Sequence, residues 1–403
     1  MDVRVELELG GRSRTVGRLL DAEQRIYFEY DRAFLATGLE LSPFKLPLRP
    51  GVFDVGRPEF HGLPGLFYDS LPDGWGLMIL LRGLRQRGID AQRVSPLVWL
   101  RAMGRRGLGA LSYHPIESRP AAPRVEVELR KLEAQAQAVH RGTARRLVPE
   151  LELMGGSPGG ARPKVVVALG PKDAMVAGAE DLPPGFEHWL VKFSARDDLA
   201  DAGVLEEVYA RLARAAGIDL PPTRLFVLGR GRRCFGVQRF DRGPQGRLHV
   251  HSAAGLLHSD PRLPALDYRE LLLATQRLTR DQRQVLELFR RAAFNALANN
   301  RDDHARNFSF VMDASGRWRL SPAYDLTWSQ GMRGHHNTSF LGETERPSRE
   351  HLLRLAAEAK LSPRAAAGAL RKVERAIAGF SVVAKAVGLS ARTTDAVERS
   401  LKA

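Results

Sequence analysis

The sequence has little cysteine and no long apolar segments, and each of these absences excludes a class of protein. Its 403 residues include one cysteine, Cys234, so an internal disulfide cannot form. No apolar run reaches the length of a membrane-spanning helix, because Arg, Asp or Gly interrupts every long stretch. There is also no apolar segment after the charged start, no fixed-period repeat and no extended low-complexity segment. We therefore expect a cytoplasmic protein that does not contact a membrane.

Positive charge is in excess, with 61 Lys and Arg against 46 Asp and Glu and a formal net charge of +15. Such an excess attracts phosphate-rich partners, such as nucleic acid or nucleotides. The basic residues are dispersed, in short pairs such as Arg105-Arg106 and Arg290-Arg291, rather than gathered in one run. This distribution is more typical of a solvated surface than of a dedicated nucleic-acid-binding surface.

The most informative stretch is Arg301–Asn307, which reads R-D-D-H-A-R-N and is followed later by Ala323-Tyr324-Asp325-Leu326. Asp302 precedes Asn307 by five positions, the step that separates Asp from Asn in the catalytic loop of protein kinases. Kinases need one carboxylate for the acceptor hydroxyl, and an Asn and a second Asp for metal ions. The same residue types also make ordinary polar loops and helix caps, so the loop alone does not decide between these interpretations.

The residues that follow favour the catalytic interpretation. Phe308–Met312 predicts a strand, Asp313–Gly316 a turn, and Arg317–Leu320 a return strand. Such a hairpin would bring two metal ligands, Asn307 and Asp325, to one point.

The pattern along the chain predicts an α+β protein with a bilobal, protein-kinase-like fold, a β-rich N-terminal accessory domain and a mainly helical C-terminal lobe. From about residue 150 the order is glycine-rich loop, strand, acidic insert, strand, helix and strand, as in the small lobe of a kinase. The predicted divisions are an N-terminal domain at 1–115, a linker with a helix at 116–149, a small lobe at 150–245 and a large lobe at 246–403.

Several small-lobe residues are candidates for binding a nucleotide. The glycine-rich loop Gly155–Ala161 could bring backbone N–H groups close to phosphates, although Gly with Pro also makes plain turns. Lys192 ends a predicted strand, where kinases place an ammonium over the phosphates. Glu206 or Glu207, at the start of a predicted helix, could pair with this lysine, or could simply complement the helix dipole. The strand from Cys234 is either an adenine-binding strand or a plain core strand.

In combination, these segments resemble the HipA-type serine/threonine kinases, the toxin halves of bacterial toxin–antitoxin pairs. The resemblance covers most of the chain. The segments that carry it are Val16–Leu19, Phe28–Asp31, Leu46–Leu48 and Phe67–Gly74 in the front part, and Gly159–Lys164, Asp302–Asn307 and Pro322–Asp325 in the kinase part.

The resemblance implies a role for each matching residue. Asp302 would be the catalytic base, and Asn307 and Asp325 would hold Mg²⁺. Lys192 would contact the phosphates of ATP. His304 is a further candidate for the nucleotide site, although packing that supports the loop is the simpler role for it. The remaining nucleotide-binding residues assigned in this way are Ser157, Gly159, Gly160, Ala161, Lys164, Glu206, Gln238 and Phe240.

Family members are similar in switching themselves off by phosphorylating a serine seven residues before the loop lysine, and Ser157 and Lys164 have that spacing. A phosphate on Ser157 would add about −1.5 to −2 charge where ATP phosphates must sit.

The resemblance implies a protein serine as substrate, which in the best-known member belongs to glutamyl-tRNA synthetase. It also implies a helix-turn-helix antitoxin of HipB type as partner, and operator DNA indirectly through that antitoxin. Two alternatives remain open: a small-molecule phosphotransferase, since antibiotic and choline kinases use a similar loop, and a non-catalytic partner of a DNA-binding repressor.

Overall fold

The computed structural model describes most of the chain. Gly155 to Pro158, and with them the predicted phosphorylation site Ser157, lie outside the described residues. The described ranges are 1–23, 25–54, 56–90, 93–116, 128–144, 146–147, 149–154, 159–177, 182–195, 199, 201–229 and 231–402.

The N-terminal part is a five-stranded sheet followed by helices. Alternation of apolar and polar residues along the first strand buries Val3, Val5 and Leu7 on one face. The strands lie in the order β4-β3-β2-β1-β5, and the pairs are antiparallel. The elements are β1 (Asp2–Leu9), β2 (Arg12–Ala22), β3 (Arg25–Tyr30), α1 (Arg32–Leu35), β4 (Val52–Phe53), α2 (Gly65–Tyr68), α3 (Gly74–Gln86), α4 (Pro96–Met103) and β5 (Leu111–His114).

The small lobe is a second five-stranded sheet, in the order β7-β6-β8-β10-β9, with one long helix. The helix of the predicted linker (Leu129–His140) and the short helix after it (Pro149–Met154) share a core with this sheet, since Leu129 and Leu151 belong to the same buried cluster as Val165 and Val191. The elements are α5 (Leu129–His140), α6 (Pro149–Met154), β6 (Lys164–Leu169), β7 (Met175–Ala177), β8 (Glu187–Lys192), α7 (Ala202–Ala215), β9 (Thr223–Gly229) and β10 (Arg232–Gln238).

The large lobe is mainly helical. Ser362 accepts a hydrogen bond from the N–H of Ala365, so it caps the helix that Pro363 begins. The elements are β11 (Arg242–Gly243), β12 (Gly246–Arg247), β13 (His249–Ser252), α8 (Ala253–Leu257), β14 (Leu266–Asp267), α9 (Tyr268–Thr279), α10 (Gln282–Leu297), β15 (Ser309–Met312), β16 (Trp318–Leu320), β17 (Thr338–Ser339), α11 (Arg349–Glu358), α12 (Pro363–Ala378), α13 (Phe380–Val387) and α14 (Ala391–Lys402).

The predicted α+β, bilobal fold is confirmed, and so is the hairpin after the catalytic loop. Strands β15 and β16 pair antiparallel, with Phe310 opposite Leu320. One prediction about the small lobe is wrong: α7 begins at Ala202, so Glu206 and Glu207 lie inside the helix rather than at its start. Among the described helices, none is both long and apolar enough to cross a bilayer.

Candidate active site

A cleft between the two lobes is lined by most of the predicted site residues. It contains about 1100 Å³ of space free of protein atoms, part of which is open to solvent. Asp302, Gly160 and Ala161 are not part of its lining. The predicted residues that line it are Gly159, Lys164, Lys192, Glu206, Gln238, Phe240, His304, Asn307 and Asp325.

The candidate catalytic loop follows α10 and leads into β15. Asn307 turns back toward the start of this loop, where its Nδ2 donates a hydrogen bond to the Asp302 carbonyl oxygen at 2.6 Å. The side chain of Asp302 is exposed. Partial burial among protein atoms raises the pKa of Asp302; nearby His304 opposes this rise, and the negative charge of Asp325 adds to it. A carboxylate that is exposed and holds its proton more firmly than usual is suited to accept a hydroxyl proton.

Asp303 is fully buried, and it anchors the loop; its negative charge also contributes to the raised pKa of Asp302. Its Oδ2 accepts hydrogen bonds from the Tyr268 hydroxyl at 2.8 Å and from His336 Nδ1 at 3.0 Å. Its Oδ1 accepts from the N–H groups of Asn337 at 2.8 Å and Thr338 at 3.3 Å. The side chain of His336 is fully buried against Asp303.

Replacing Asp303 by Ala should lower the free energy of unfolding by about 3 kcal/mol or more, because several buried donors would lose their acceptor. Chemical denaturation of both proteins measures this difference. The matched control is Asp395→Ala, at an exposed position on α14, which should change stability by less than about 0.5 kcal/mol. Equal stability of the two variants would contradict the anchoring role of Asp303.

Lys192, Glu206 and Asp325 meet at the back of the cleft. Lys192 Nζ donates to Glu206 Oε2 at 2.7 Å and also contacts Asp325 Oδ1. Burial alone would lower the pKa of Lys192, but the two carboxylates outweigh it and raise the pKa. The geometry thus brings Glu206 to the lysine, whereas Glu207 pairs with Arg211 at 2.8 Å on another side of α7.

A second lysine lies close to this cluster. Lys164 is buried, which lowers its pKa, and Asp325 partly offsets that effect. Its Nζ also donates to the carbonyl oxygen of Gly159, the first described residue of the glycine-rich loop. Two ammonium groups beside one glycine loop make a positive environment that suits the phosphates of a nucleotide.

Asp325 and Asn307 present the oxygen types that Mg²⁺ prefers, a carboxylate and an amide carbonyl, to one cleft. Burial alone would raise the pKa of Asp325, but Lys192 and Lys164 hold it below the usual range, so this carboxylate is ionised. Its backbone has a φ of +55°, a left-handed conformation that is uncommon for a residue other than Gly. The pair therefore fits the metal that the sequence predicts, and a bound Mg²⁺ would neutralise phosphate charge here.

Part of the cleft is lined by apolar and aromatic side chains, and we call this part the apolar end. Strand β10 ends at Gln238, and Phe240 then stacks on Tyr324 with ring centroids 5.7 Å apart. An apolar, aromatic surface of this kind suits a purine ring. Sequence patterns did not single out Tyr324 for this position, because its contact with Phe240 joins residues far apart in the chain.

The segment after β10 is fastened to the N-terminal part. Asp241 is fully buried and accepts hydrogen bonds from the Gly109 N–H at 2.8 Å, from Arg239 and from Arg242. The two guanidinium groups also donate to the carbonyl oxygen of Gly107, at 3.2 and 2.9 Å. No sequence pattern indicates this network, because it joins residues more than 130 positions apart.

His304 lines the cleft, and its buried Nδ1 has no hydrogen-bond partner among the described residues. An imidazole nitrogen left unpaired beside Lys192 and Asp325 is available to a ligand in the cleft. The sequence was compatible with two roles for His304, packing that supports the loop and contact with a nucleotide. Its place in the lining of the cleft favours contact with a nucleotide.

Family models match the chain over two long ranges. A HipA N-terminal domain matches residues 10–114, and a HipA-like C-terminal domain matches residues 156–380. The second range covers more than half of the chain, and the two ranges contain all the predicted site residues. The chain therefore belongs to the HipA-like family.

Particular relatives agree with this assignment. "Putative kinase Y4dM" of Sinorhizobium fredii is 27% identical over 366 residues, which cover 85% of this chain and 82% of the relative. "Putative kinase Y4mE" of the same organism is 30% identical over 132 residues, about 30% of each chain. Among solved structures, a chain of the HipA, HipB and operator DNA complex of the Shewanella oneidensis MR-1 toxin–antitoxin system superposes with a TM-score of 0.69 at 19% identity, over 94% of this chain and 91% of that one.

Proposed function

We propose that the protein is an ATP- and Mg²⁺-dependent serine/threonine protein kinase and the toxin of a toxin–antitoxin pair. The observation that carries the proposal is the convergence of Lys192, Glu206, Asn307 and Asp325 on one cleft, next to an exposed Asp302. These are the parts that phosphoryl transfer needs: a cation for the phosphates, oxygen ligands for metal, and a carboxylate for the acceptor.

Each residue then has a defined task. Lys192, oriented by Glu206, would hold the phosphates, and the Phe240–Tyr324 stack would hold adenine. Asp302 would accept the proton of the acceptor hydroxyl as the hydroxyl oxygen forms its bond to the γ-phosphorus and ADP leaves. Magnesium held by Asn307 and Asp325 would neutralise the developing charge. The protein thus contributes positioning and electrostatics rather than a covalent intermediate.

We propose a HipB-type helix-turn-helix protein as the antitoxin, with operator DNA bound through it. Membership of the HipA-like family supports this proposal, as does the structural similarity to a HipA chain solved with HipB and operator DNA. Glutamyl-tRNA synthetase is the first target to test, and Ser157 is the proposed site of self-limiting autophosphorylation.

Incubation with γ-labelled ATP, Mg²⁺ and a cell extract should place label in protein on Ser or Thr, and phosphoamino-acid analysis measures it. Purified glutamyl-tRNA synthetase, tested in parallel, is the direct candidate acceptor. Label in a small solute instead would establish the metabolic phosphotransferase. An absence of all ATP turnover, combined with a change in the antitoxin's affinity for operator DNA, would establish the non-catalytic partner.

A further inference from the structure

The segment Tyr68–Trp75 of the N-terminal part lies against both loops that border the cleft. We call it the bridging segment. It contains the end of α2, the start of α3 and the turn between them. Any role of this segment in phosphoryl transfer rests on the proposed function, because a phosphotransferase needs the two loops held at a fixed separation.

On one side, the bridging segment is docked on the glycine-rich loop. The Trp75 N–H donates to the Gly160 carbonyl oxygen at 3.1 Å, and Trp75 Nε1 donates to the Lys164 carbonyl oxygen at 2.8 Å. The approach is close, since a Cβ added at Gly74 would lie 2.6 Å from the Gly160 oxygen. Gly74 also has a φ of +44°, so a larger residue there would separate the two segments.

On the other side, the bridging segment holds the catalytic loop through Arg306. This arginine lies between Asp302 and Asn307 in sequence, lines the cleft and is only 8% exposed. Its Nη2 donates to the Leu71 carbonyl oxygen at 2.8 Å, and its guanidinium lies 4.8 Å from the ring centroid of Tyr68. Arg306 thus extends from the catalytic loop into the N-terminal part.

Asp73 connects the two sides. Its Oδ1 accepts a hydrogen bond from the Gly160 N–H, and its Oδ2 pairs with Arg306 Nη1 at 3.2 Å. Asp73 is also the N-cap residue of α3, a position where an aspartate usually accepts a hydrogen bond from its own helix. Here the side chain makes no capping bond, so its carboxylate serves the two loops instead of the helix.

We propose that Asp73 is a positioning residue for phosphoryl transfer. By holding the Gly160 N–H and Arg306 with one carboxylate, it sets how far the phosphate-binding loop lies from the catalytic loop. That separation determines the distance from the terminal phosphate to the acceptor held by Asp302. The N-terminal part is therefore a third wall of the active site and acts on the reaction through Asp73.

The test uses the full chain with Asp73→Ala, Asp73→Asn and a control, Asp54→Asn. Asp54 is also in the N-terminal part but forms an exposed ion pair with Arg25. We expect kcat to fall roughly 10- to 100-fold in Asp73→Ala, because small misplacements of reacting groups have effects of this size. Asp73→Asn keeps an acceptor for the Gly160 N–H but loses the negative charge that faces Arg306. Its kcat should therefore lie between those of Asp73→Ala and wild type. The control should match wild type.

Binding measurements separate positioning from a purely structural role. Asp73 does not contact the apolar end of the cleft, so adenosine affinity should be unchanged while the affinity gained from the phosphates of ATP falls several-fold. If folded Asp73→Ala keeps both the wild-type kcat and the wild-type ratio of ATP to adenosine affinity, the inference is overturned. If wild type binds ATP but transfers phosphate to nothing, the proposed function fails. The ratio of ATP to adenosine affinity then tests only whether Asp73 positions the phosphate-binding loop. Should Asp73→Ala not fold, the same measurements on Asp73→Asn decide.

Discussion

Replacement of Asp302 by Gln should reduce phosphate transfer to acceptor protein by roughly 10²- to 10⁴-fold, the usual contribution of a general base. The side chain of Asp302 is exposed and makes no hydrogen bond with another described residue, so the substitution should leave the fold intact. Nucleotide affinity should also persist, because Asp302 does not line the cleft. Initial rates of transfer and calorimetric titration with a non-hydrolysable ATP analogue measure the two quantities.

Mass spectrometry extends the same experiment. Wild-type protein expressed with ATP present should carry phosphate on Ser157, and the Asp302→Gln protein should not. Asp395→Asn, an exposed substitution on α14, serves as the control and should transfer at the wild-type rate. Wild-type transfer by Asp302→Gln would remove this residue from the mechanism, and phosphate only on other residues would remove Ser157.

Replacement of Asp325 by Asn should abolish the Mg²⁺ dependence of ATP binding and lower transfer by about 100-fold or more, as expected when an electrostatic group at the reacting centre is lost. The variant keeps the size of the side chain but removes the charge that faces Lys192 and Lys164. In wild type, ATP affinity should rise as Mg²⁺ is added. Titration of ATP at several Mg²⁺ concentrations compares the two proteins.

Adenosine provides the internal control for this variant, because it has no phosphates and should bind both proteins equally at the apolar end of the cleft, beside Phe240. The control variant is Asp2→Asn, which removes the charge of an exposed pair with Arg18. It should leave both the ATP affinity and the adenosine affinity unchanged. A Mg²⁺-dependent rise in ATP affinity that survives in Asp325→Asn would place the metal elsewhere.

The local parts of the site could be predicted from sequence. The strand, turn and return strand after Asn307 are encoded by short-range alternation and turn residues, and they deliver Asp325 to the cleft as expected. Lys192 was found because it ends an apolar strand. These features depend on neighbours a few residues away, which is the range over which a sequence pattern is informative.

The parts that depend on distant contacts could not be predicted. Asp303 looks like a second active-site carboxylate because it follows Asp302, but its partners lie about 35 residues away in both directions. The choice between Glu206 and Glu207 depended on where α7 begins. The sequence pattern predicted a start about one turn too late, since the helix begins at Ala202. Asp73 and Arg306 are more than 230 residues apart, and no pattern in either segment indicates that they pair.

The network around Asp241 bears on how the chain can be divided. Its carboxylate accepts a hydrogen bond from the Gly109 N–H, and the two guanidinium groups donate to the Gly107 carbonyl oxygen, both in the N-terminal part. A protein cut near residue 115 would lose those backbone partners and expose the Asp241 ion cluster to water, although Arg239 and Arg242 would still pair with Asp241. We therefore expect a chain reduced to the kinase-like lobes to be less stable than the full chain, because the hydrogen-bonding groups that face Gly107 and Gly109 would have to be satisfied by water.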